Sequence, residues 1–245
     1  MKKIHLVSFM VLILIILSVS INAQPGNGSK NGKKLSTKSA TTKADAKVFF
    51  VMQKTTRGRD SITKPPEGMV IYNTSIGKAQ RYTGNAWKNI PANERYIGEA
   101  FGGGIVFYLD STKVHGLIMP PADQSTSAQW GFFKEQIGAN GKKIGDGKQN
   151  TDMISKTSTD KSIAANICSS LKLNGFSDWV LPSIEELKPM YYNFKAKALG
   201  NFSSTQYWSS SETDFNNAWM MNFGLGVSTE NNVIQRYCIR AVRYF

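Results

Sequence analysis

The sequence contains few of the residues that most often perform catalysis. It has two cysteines and two histidines in 245 residues. His5 lies in the N-terminal apolar segment, and His115 follows the turn of a predicted hairpin, so neither is placed as a general base in a catalytic motif. Among the carboxylates, Glu185 and Glu186 are explained by a predicted helix start, where the helix dipole favours acidic residues. We therefore expect no enzymatic activity and no cofactor.

The sequence also lacks an apolar run long enough to span a membrane. The N-terminal run over residues 6–19 is about 14 residues long, whereas a spanning helix needs roughly 20. It follows Lys2 and Lys3 and is followed by a small residue, Ala23, which is typical of a secretory signal peptide over residues 1–23. We expect an exported protein with no membrane span after cleavage. An uncleaved anchor is the alternative.

Export changes the interpretation of the two cysteines. Cys168 and Cys238 are about 70 residues apart, and a cysteine pair in an exported chain is more typical of a disulfide than of a metal site or a catalytic thiol. Closing such a loop would stabilise the fold by about 4 kcal/mol. Two buried free thiols are the alternative.

Positive charge is in excess, with a formal net charge of +13. Residues 24–47 contain six lysines opposed only by Asp45, and Gly, Ser, Thr and Asn dominate the remainder. Such a segment buries too little apolar surface to offset its ordering entropy, which predicts a disordered basic linker. An exported basic protein meets anionic polysaccharide, lipid head groups or nucleic acid; a linker that only keeps the protein soluble is the alternative.

Two folded parts follow the linker. Residues 48–92 alternate short apolar runs with Pro, Gly and Asn turns, which predicts a small β-meander too short to be stable alone. In residues 95–245 we predict a hairpin over 105–119, a long polar loop over 122–160, a helix over 162–173, a buried Trp179 and a second helix from Ser183. A β-rich end then follows, with strands near residues 206–210, 217–223 and 237–244.

Both parts resemble known bacterial sequences. PPEGMVIYNT at residues 65–74 and YTGNAW at 82–87 resemble a recurring surface motif, which implies a stalk or presentation element. Residues 95–245 resemble a bacterial domain group that includes the C-terminal domain of Lcl-type collagen-like adhesins. This group is similar to the formylglycine-generating-enzyme branch of C-type-lectin-like folds. The segments that carry the second resemblance are residues 102–108, 145–151, 177–187, 207–212, 218–223 and 239–243.

The second resemblance implies an α+β, C-type-lectin-like domain with two helices and a twisted antiparallel sheet. It also implies a disulfide between the first helix and the last strand, that is, between Cys168 and Cys238. A formylglycine-type oxidase needs an active cysteine pair, and here both cysteines occupy the positions of that structural bridge. Asp178 and Glu212 lie in motifs that look structural. The resemblance therefore favours a non-enzymatic protein that is periplasmic, at the cell surface or secreted from a bacterium.

The long loop carries the candidate binding residues. Trp130 is expected to be an exposed aromatic platform, with four basic residues in the same loop, Lys134, Lys142, Lys143 and Lys148. This combination favours an anionic extracellular glycan as the ligand, with no specific nucleic-acid partner. A basic loop that is merely soluble is the alternative, as is a structural component that caps a surface assembly, binds only protein and forms oligomers.

Calcium is weakly indicated. Asp146, Asn150 and Asp152 form a local group of oxygen donors, but they match no EF-hand. The signatures of calcium-dependent lectins are absent from the domain. Turn chemistry, in which such side chains bond to the nearby backbone, explains the group equally well. We therefore expect no metal.

Overall fold

The computed structural model describes residues 51–132 and 134–245, which belong to one compact unit. The predicted signal peptide, the predicted linker and residues 48–50 lie outside this range. The described residues form four α-helices and three sheets. The predicted mixture of helices and antiparallel strands is thereby confirmed. None of these helices combines the length and apolarity needed to cross a bilayer.

The first sheet contains four short strands in the order β1-β2-β3-β4, with β1 parallel to β2 and the other pairs antiparallel. A helix, α1, follows the first strand. The elements are β1 Met52–Lys54, α1 Thr56–Asp60, β2 Val70–Asn73, β3 Lys78–Tyr82 and β4 Trp87–Asn89.

A buried amide network joins α1 to this sheet. The Asn73 side chain and the Arg59 guanidinium each donate a hydrogen bond of 2.9 Å to Gln80 Oε1. Gln80 Nε2 donates in turn to Asn89 Oδ1 at 2.8 Å. Buried amides need such partners. Asn73 belongs to the stalk-type motif, so this motif residue serves the internal structure of the sheet.

The remaining chain forms two further sheets and three helices. One sheet has the order β13-β7-β6-β5 and is antiparallel throughout; the other has the order β11-β10-β9-β12-β8, with one parallel pair, β12 and β9. The elements are β5 Ala100–Phe101, β6 Gly104–Leu109, β7 Gly116–Met119, β8 Ser125–Gln129, α2 Asp146–Thr157, α3 Ala164–Ser169, α4 Ile184–Asn193, β9 Gln206–Glu212, β10 Asn217–Asn222, β11 Val227–Asn232, β12 Arg236–Ile239 and β13 Arg243–Tyr244.

The structure corrects two predictions about secondary structure. The segment predicted as a long loop over residues 122–160 contains β8 and α2, so residues 95–245 contain three α-helices rather than the predicted two. Helix α2 buries Gly147, Asn150 and Thr151 beside Ile154, so its inner face has little hydrophobic periodicity to detect. The helix predicted over residues 162–173 is shorter, because the chain leaves the helix after Ser169.

The five-stranded sheet lies between two hydrophobic clusters, because its side chains alternate between the two faces. On β9, Tyr207 belongs to one cluster and Trp208 to the other. On β10, Met220 and Met221 divide in the same way. Trp179, predicted to be buried, lies with Trp208 in the cluster that contains α3.

This alternation explains why the predicted disulfide is absent. Cys168 and Cys238 are both buried free thiols. Cys168 on α3 lies in one cluster, whereas Cys238 lies in the other. Its neighbour Ile239 is the β12 residue that faces the α3 side. The Cys238 side chain therefore lies on the opposite face of β12 from the helix it was predicted to join. The alternative of two buried free thiols is the correct one.

Candidate functional site

Residues 137–145 form a loop that is held by side chains from neighbouring elements, and we call it the clamped loop. Glu212, at the end of β9, provides the first contact. Its carboxylate accepts hydrogen bonds from the backbone N–H groups of Ile137, Gly138 and Ala139, at 2.8, 2.6 and 3.2 Å. Bonds from an amide to an ionised acceptor are stronger than neutral ones. One buried carboxylate thus fixes three consecutive residues of the loop.

Gly141 is held at the middle of the clamped loop. The side-chain amide of Asn150, on α2, accepts a hydrogen bond from Gly141 N at 3.1 Å and donates one to Gly141 O at 2.7 Å. Ser211 Oγ, on β9, also donates to Gly141 O at 2.7 Å. A Cβ atom at Gly141 would lie 2.7 Å from Asp146 Cβ. The close approach therefore requires glycine at this position.

Glu186 holds the end of the clamped loop. This α4 residue is 0% exposed, and burial raises the pKa of its carboxyl group. Its oxygens accept hydrogen bonds from Gly145 N at 2.7 Å, Ser183 N at 2.8 Å and Tyr244 Oη at 2.6 Å. A Cβ at Gly147 would lie 2.3 Å from Glu186 Oε2, so the start of α2 packs directly on this carboxyl group.

These contacts assign a positioning role to several motif residues. Four residues from the segments that carry the family resemblance form hydrogen bonds to the backbone of the clamped loop or to the residues at the start of a neighbouring helix. They are Asn150, Glu186, Ser211 and Glu212. Glu186 is a buried carboxyl group with a perturbed pKa, which is a common property of active sites. Its oxygens are occupied by three protein donors, and its complete burial leaves no access for a substrate.

The clamped loop presents two of the predicted binding residues. Lys142 and Lys143 are exposed, and their carbonyl oxygens are fixed by α4: Glu185 N donates to Lys142 O at 3.0 Å, and Ser183 Oγ donates to Lys143 O at 2.8 Å. Lys148, also exposed, lies in the first turn of α2 directly after the loop. The structure therefore places three of the four lysines on or beside one rigid segment.

An aromatic residue that the sequence analysis did not select lies beside these lysines. The Lys142 ammonium is 4.9 Å from the centroid of the Trp219 ring, which is within the range of a cation–π interaction. Trp219 is partly buried against the cluster that contains Leu187 and Met221. We call Lys142, Lys143, Lys148 and Trp219 together the lysine surface.

The prediction that Trp130 is an exposed platform is wrong. Trp130 is 1% exposed and packs in the cluster that contains α3. Its indole N–H donates a hydrogen bond of 2.8 Å to the carbonyl of Ser209, which satisfies the polar end of a buried tryptophan. The polar sequence around Trp130 concealed this, because the neighbouring strand β8 contributes mostly small polar residues. Lys134 is exposed but precedes the clamped loop.

Two of the three weak metal candidates are engaged in hydrogen bonds within the protein. Asp146 Oδ2 accepts a hydrogen bond from Lys143 N at 2.8 Å, and the Asn150 amide is committed to Gly141 and to Ser210 Oγ. Asp152 is exposed further along α2. Across residues 51–132 and 134–245, no group of three or more His, Cys, Asp or Glu side chains is arranged to hold a metal ion.

Comparison with known proteins identifies the C-terminal half of the chain. Residues 122–243 match the family model described as the Lcl C-terminal domain. This range includes the clamped loop and the lysine surface. No curated protein matches the chain. Among solved structures, a fimbrial protein from Bacteroides ovatus ATCC 8483 has 15% identity and a TM-score of 0.42, over 73% of this chain and 48% of that one. The match thus spans about half the length of the fimbrial protein.

Proposed function

Residues 122–243 form a Lcl C-terminal domain, and from this premise we propose that the protein is a surface-associated, non-enzymatic protein that binds anionic glycans through its lysine surface. The observation that carries the proposal is the placement of Lys142 and Lys143. Both are exposed on a loop whose backbone is fixed by Glu212, Asn150 and Glu186. The backbone that carries these two lysines is therefore ordered before any ligand binds.

This order favours binding to a sulfated or uronic-acid polymer. A polyanion offers repeated negative charges, and several cations on one rigid segment can meet them together. A fixed backbone lowers the entropy that binding would otherwise lose by ordering a mobile loop. Trp219 adds an aromatic surface beside Lys142. Binding of this kind needs no calcium.

The proposal includes an organisation for the whole chain. A signal peptide over residues 1–23 directs export. A basic linker over residues 24–47 connects the signal peptide to the folded part. A stalk-type β module over residues 48–92 precedes a C-type-lectin-like domain over residues 95–245. The mature protein then acts outside the cytoplasm, at the bacterial surface, in the periplasm or in the medium.

A structural role in a surface assembly is the second candidate, and an exposed apolar patch favours it. Leu225 is 73% exposed in the turn between β10 and β11, and Val227 and Tyr192 are also exposed. Gly226 lies against the Tyr191 ring, next to Tyr192 in the chain, so the turn is packed on α4. Contiguous exposed apolar residues often mark a protein–protein contact. The partner would be another surface protein or a second copy of this chain.

A comparison of two polymers tests the proposed function. Binding of the chain to heparin is measured over a range of salt concentrations, beside binding to heparin from which the sulfate groups have been removed. We expect binding to heparin that weakens steeply with salt, is unchanged by a calcium chelator and is largely lost with the desulfated polymer. Equal binding to both polymers, or none to either, contradicts glycan recognition by charge. Oligomers in light scattering together with no heparin binding would favour the structural role.

A further inference from the structure

A groove of about 680 Å³ lies between the first sheet and residues 95–245, and no residue of the lysine surface lines it. This volume is in the range of cavities that hold small molecules. The first sheet and the turn before β2 contribute Met52, Met69 and Val70, and residues 95–245 contribute Leu109 and Leu199. Methionine side chains are flexible and adapt to ligands of varied shape. The groove therefore offers two facing apolar walls.

Positive charge surrounds this apolar groove. Three basic residues line it, Arg81, Lys113 and Lys197, and one acidic residue, Asp110. Arg81 and Lys113 share a single carboxylate, Glu94, at 2.9 and 3.9 Å. The Lys197 ammonium has neither an ion pair nor a hydrogen bond within the described residues. The groove thus has a cation that its own side chains do not neutralise.

The acidic residue of the groove is already occupied. Asp110 Oδ1 accepts hydrogen bonds from the N–H and hydroxyl groups of Thr112 and from Lys113 N. It therefore serves the turn after β6. Tyr96 also lines the groove. Burial raises the pKa of its hydroxyl group to about 12, so this group stays protonated and can donate a hydrogen bond. Within the described residues this hydroxyl group has no hydrogen-bond partner, so it is available to donate to a ligand.

We propose that the groove binds an acyl chain that ends in a carboxylate, with the chain between the apolar walls and the carboxylate at Lys197. Charge complementarity selects this ligand, because the apolar walls favour a hydrocarbon chain and the unneutralised ammonium favours an anionic end group. The Tyr96 hydroxyl group supplies a further donor to the ligand oxygens. This site is separate from the proposed glycan site in position and in ligand chemistry.

Fluorescence titration with dansyl-labelled undecanoic acid tests the proposal on the whole chain. We expect saturable binding that undecanoate displaces, that undecanol displaces more weakly and that acetate does not displace. Lys197→Glu should weaken binding by roughly tenfold or more, because a charge-assisted contact becomes a repulsion. Lys172→Glu, at an exposed lysine remote in sequence from the groove residues, is the matched control and should bind as the unchanged chain does.

A second variant tests the apolar wall without disturbing the core. Met52 is half-exposed on a three-residue edge strand, so Met52→Glu should preserve the fold, which thermal unfolding verifies, and should weaken binding of the probe. Several outcomes overturn the proposal: no saturable binding, equal displacement by undecanoate and undecanol, or equal loss of binding in Lys197→Glu and Lys172→Glu. Binding that is unchanged in Met52→Glu also overturns it, because the chain would then occupy another surface.

Discussion

Tyr244 Oη donates a hydrogen bond of 2.6 Å to Glu186 Oε1, which joins the C-terminal strand β13 to the first turn of α4. The same carboxyl group accepts from Gly145 N, directly before α2. Three segments far apart in the sequence therefore meet at one buried side chain. Within the described residues this carboxyl group forms no ion pair, so its effect on stability depends on hydrogen bonds and on burial.

Replacing Glu186 should change how stability depends on pH. Burial raises the folded-state pKa of Glu186 above its ordinary value of about 4.3. The folded chain therefore keeps this proton at pH values where the unfolded chain has lost it. It follows that the Glu186 contribution to the free energy of unfolding falls as the pH rises from about 4.3 towards the raised pKa. In Glu186→Gln this fall should be absent, and urea unfolding at a series of pH values would measure it.

Glu185→Gln provides the matched control for that experiment. Glu185 is the adjacent residue on α4, has a side chain that is 43% exposed and pairs with Lys188 at 2.6 Å. Its replacement should leave the pH dependence of unfolding close to that of the unchanged chain, since an exposed pair contributes little. If Glu186→Gln and the unchanged chain have the same pH dependence, Glu186 is not a buried group with a raised pKa.

Glu212→Gln should loosen the clamped loop. A glutamine offers one acceptor oxygen and places an N–H₂ group against the remaining backbone donors, so at least one buried amide loses its partner. We expect a loss of stability of about 1–3 kcal/mol, with faster hydrogen exchange at residues 137–139. Glu135→Gln, at an exposed position just before the loop, should change neither. Equal exchange rates in Glu212→Gln and the unchanged chain would show that this carboxylate does not hold the loop.

The two cysteines should behave as buried thiols. Cys168 and Cys238 are free, and burial raises the pKa of both thiols, which slows their reaction with thiol reagents. We expect both to react after unfolding without any reducing agent and to react slowly in the folded chain. A reductant should leave the thermal midpoint unchanged. A shift of several degrees in the thermal midpoint on reduction, or no free thiol after unfolding, would show that the disulfide forms after all.

The sequence predicts those features of the fold that depend on apolar side chains. Trp179 is buried as expected, and the strands near Trp208 and Met220 follow their apolar patterns. Helix α2 was missed because Asn150 and Thr151 on its buried face make hydrogen bonds to backbone groups that only the fold brings near. Strand β11 was missed because it lies at the edge of its sheet and consists mainly of polar residues.

The candidate site also has one part that the sequence predicts and another that only the fold brings together. The lysines were identified from local sequence, because charge is read directly from the sequence and lysine side chains are seldom fully buried. Their aromatic neighbour could not be identified in this way, since Lys142 and Trp219 meet only through the contact of the clamped loop with α4 and β10. The misplaced disulfide has a similar cause. Spacing allows Cys168 and Cys238 to pair, but the alternation along β12 decides which face Cys238 occupies.

Charge reversal at the lysine surface tests the central proposal most directly. One variant changes Lys142, Lys143 and Lys148 to Glu. The matched variant changes three exposed lysines within residues 48–92 to Glu, namely Lys64, Lys78 and Lys88. Both undergo the same change in net charge. At roughly 0.5–1 kcal/mol for each reversed contact, the first variant should bind heparin about tenfold more weakly or worse. The second should bind nearly as the unchanged chain does. Equally weakened binding in both variants would show that heparin binding depends only on the net charge of the protein. This result would contradict a glycan site on the Lcl C-terminal domain.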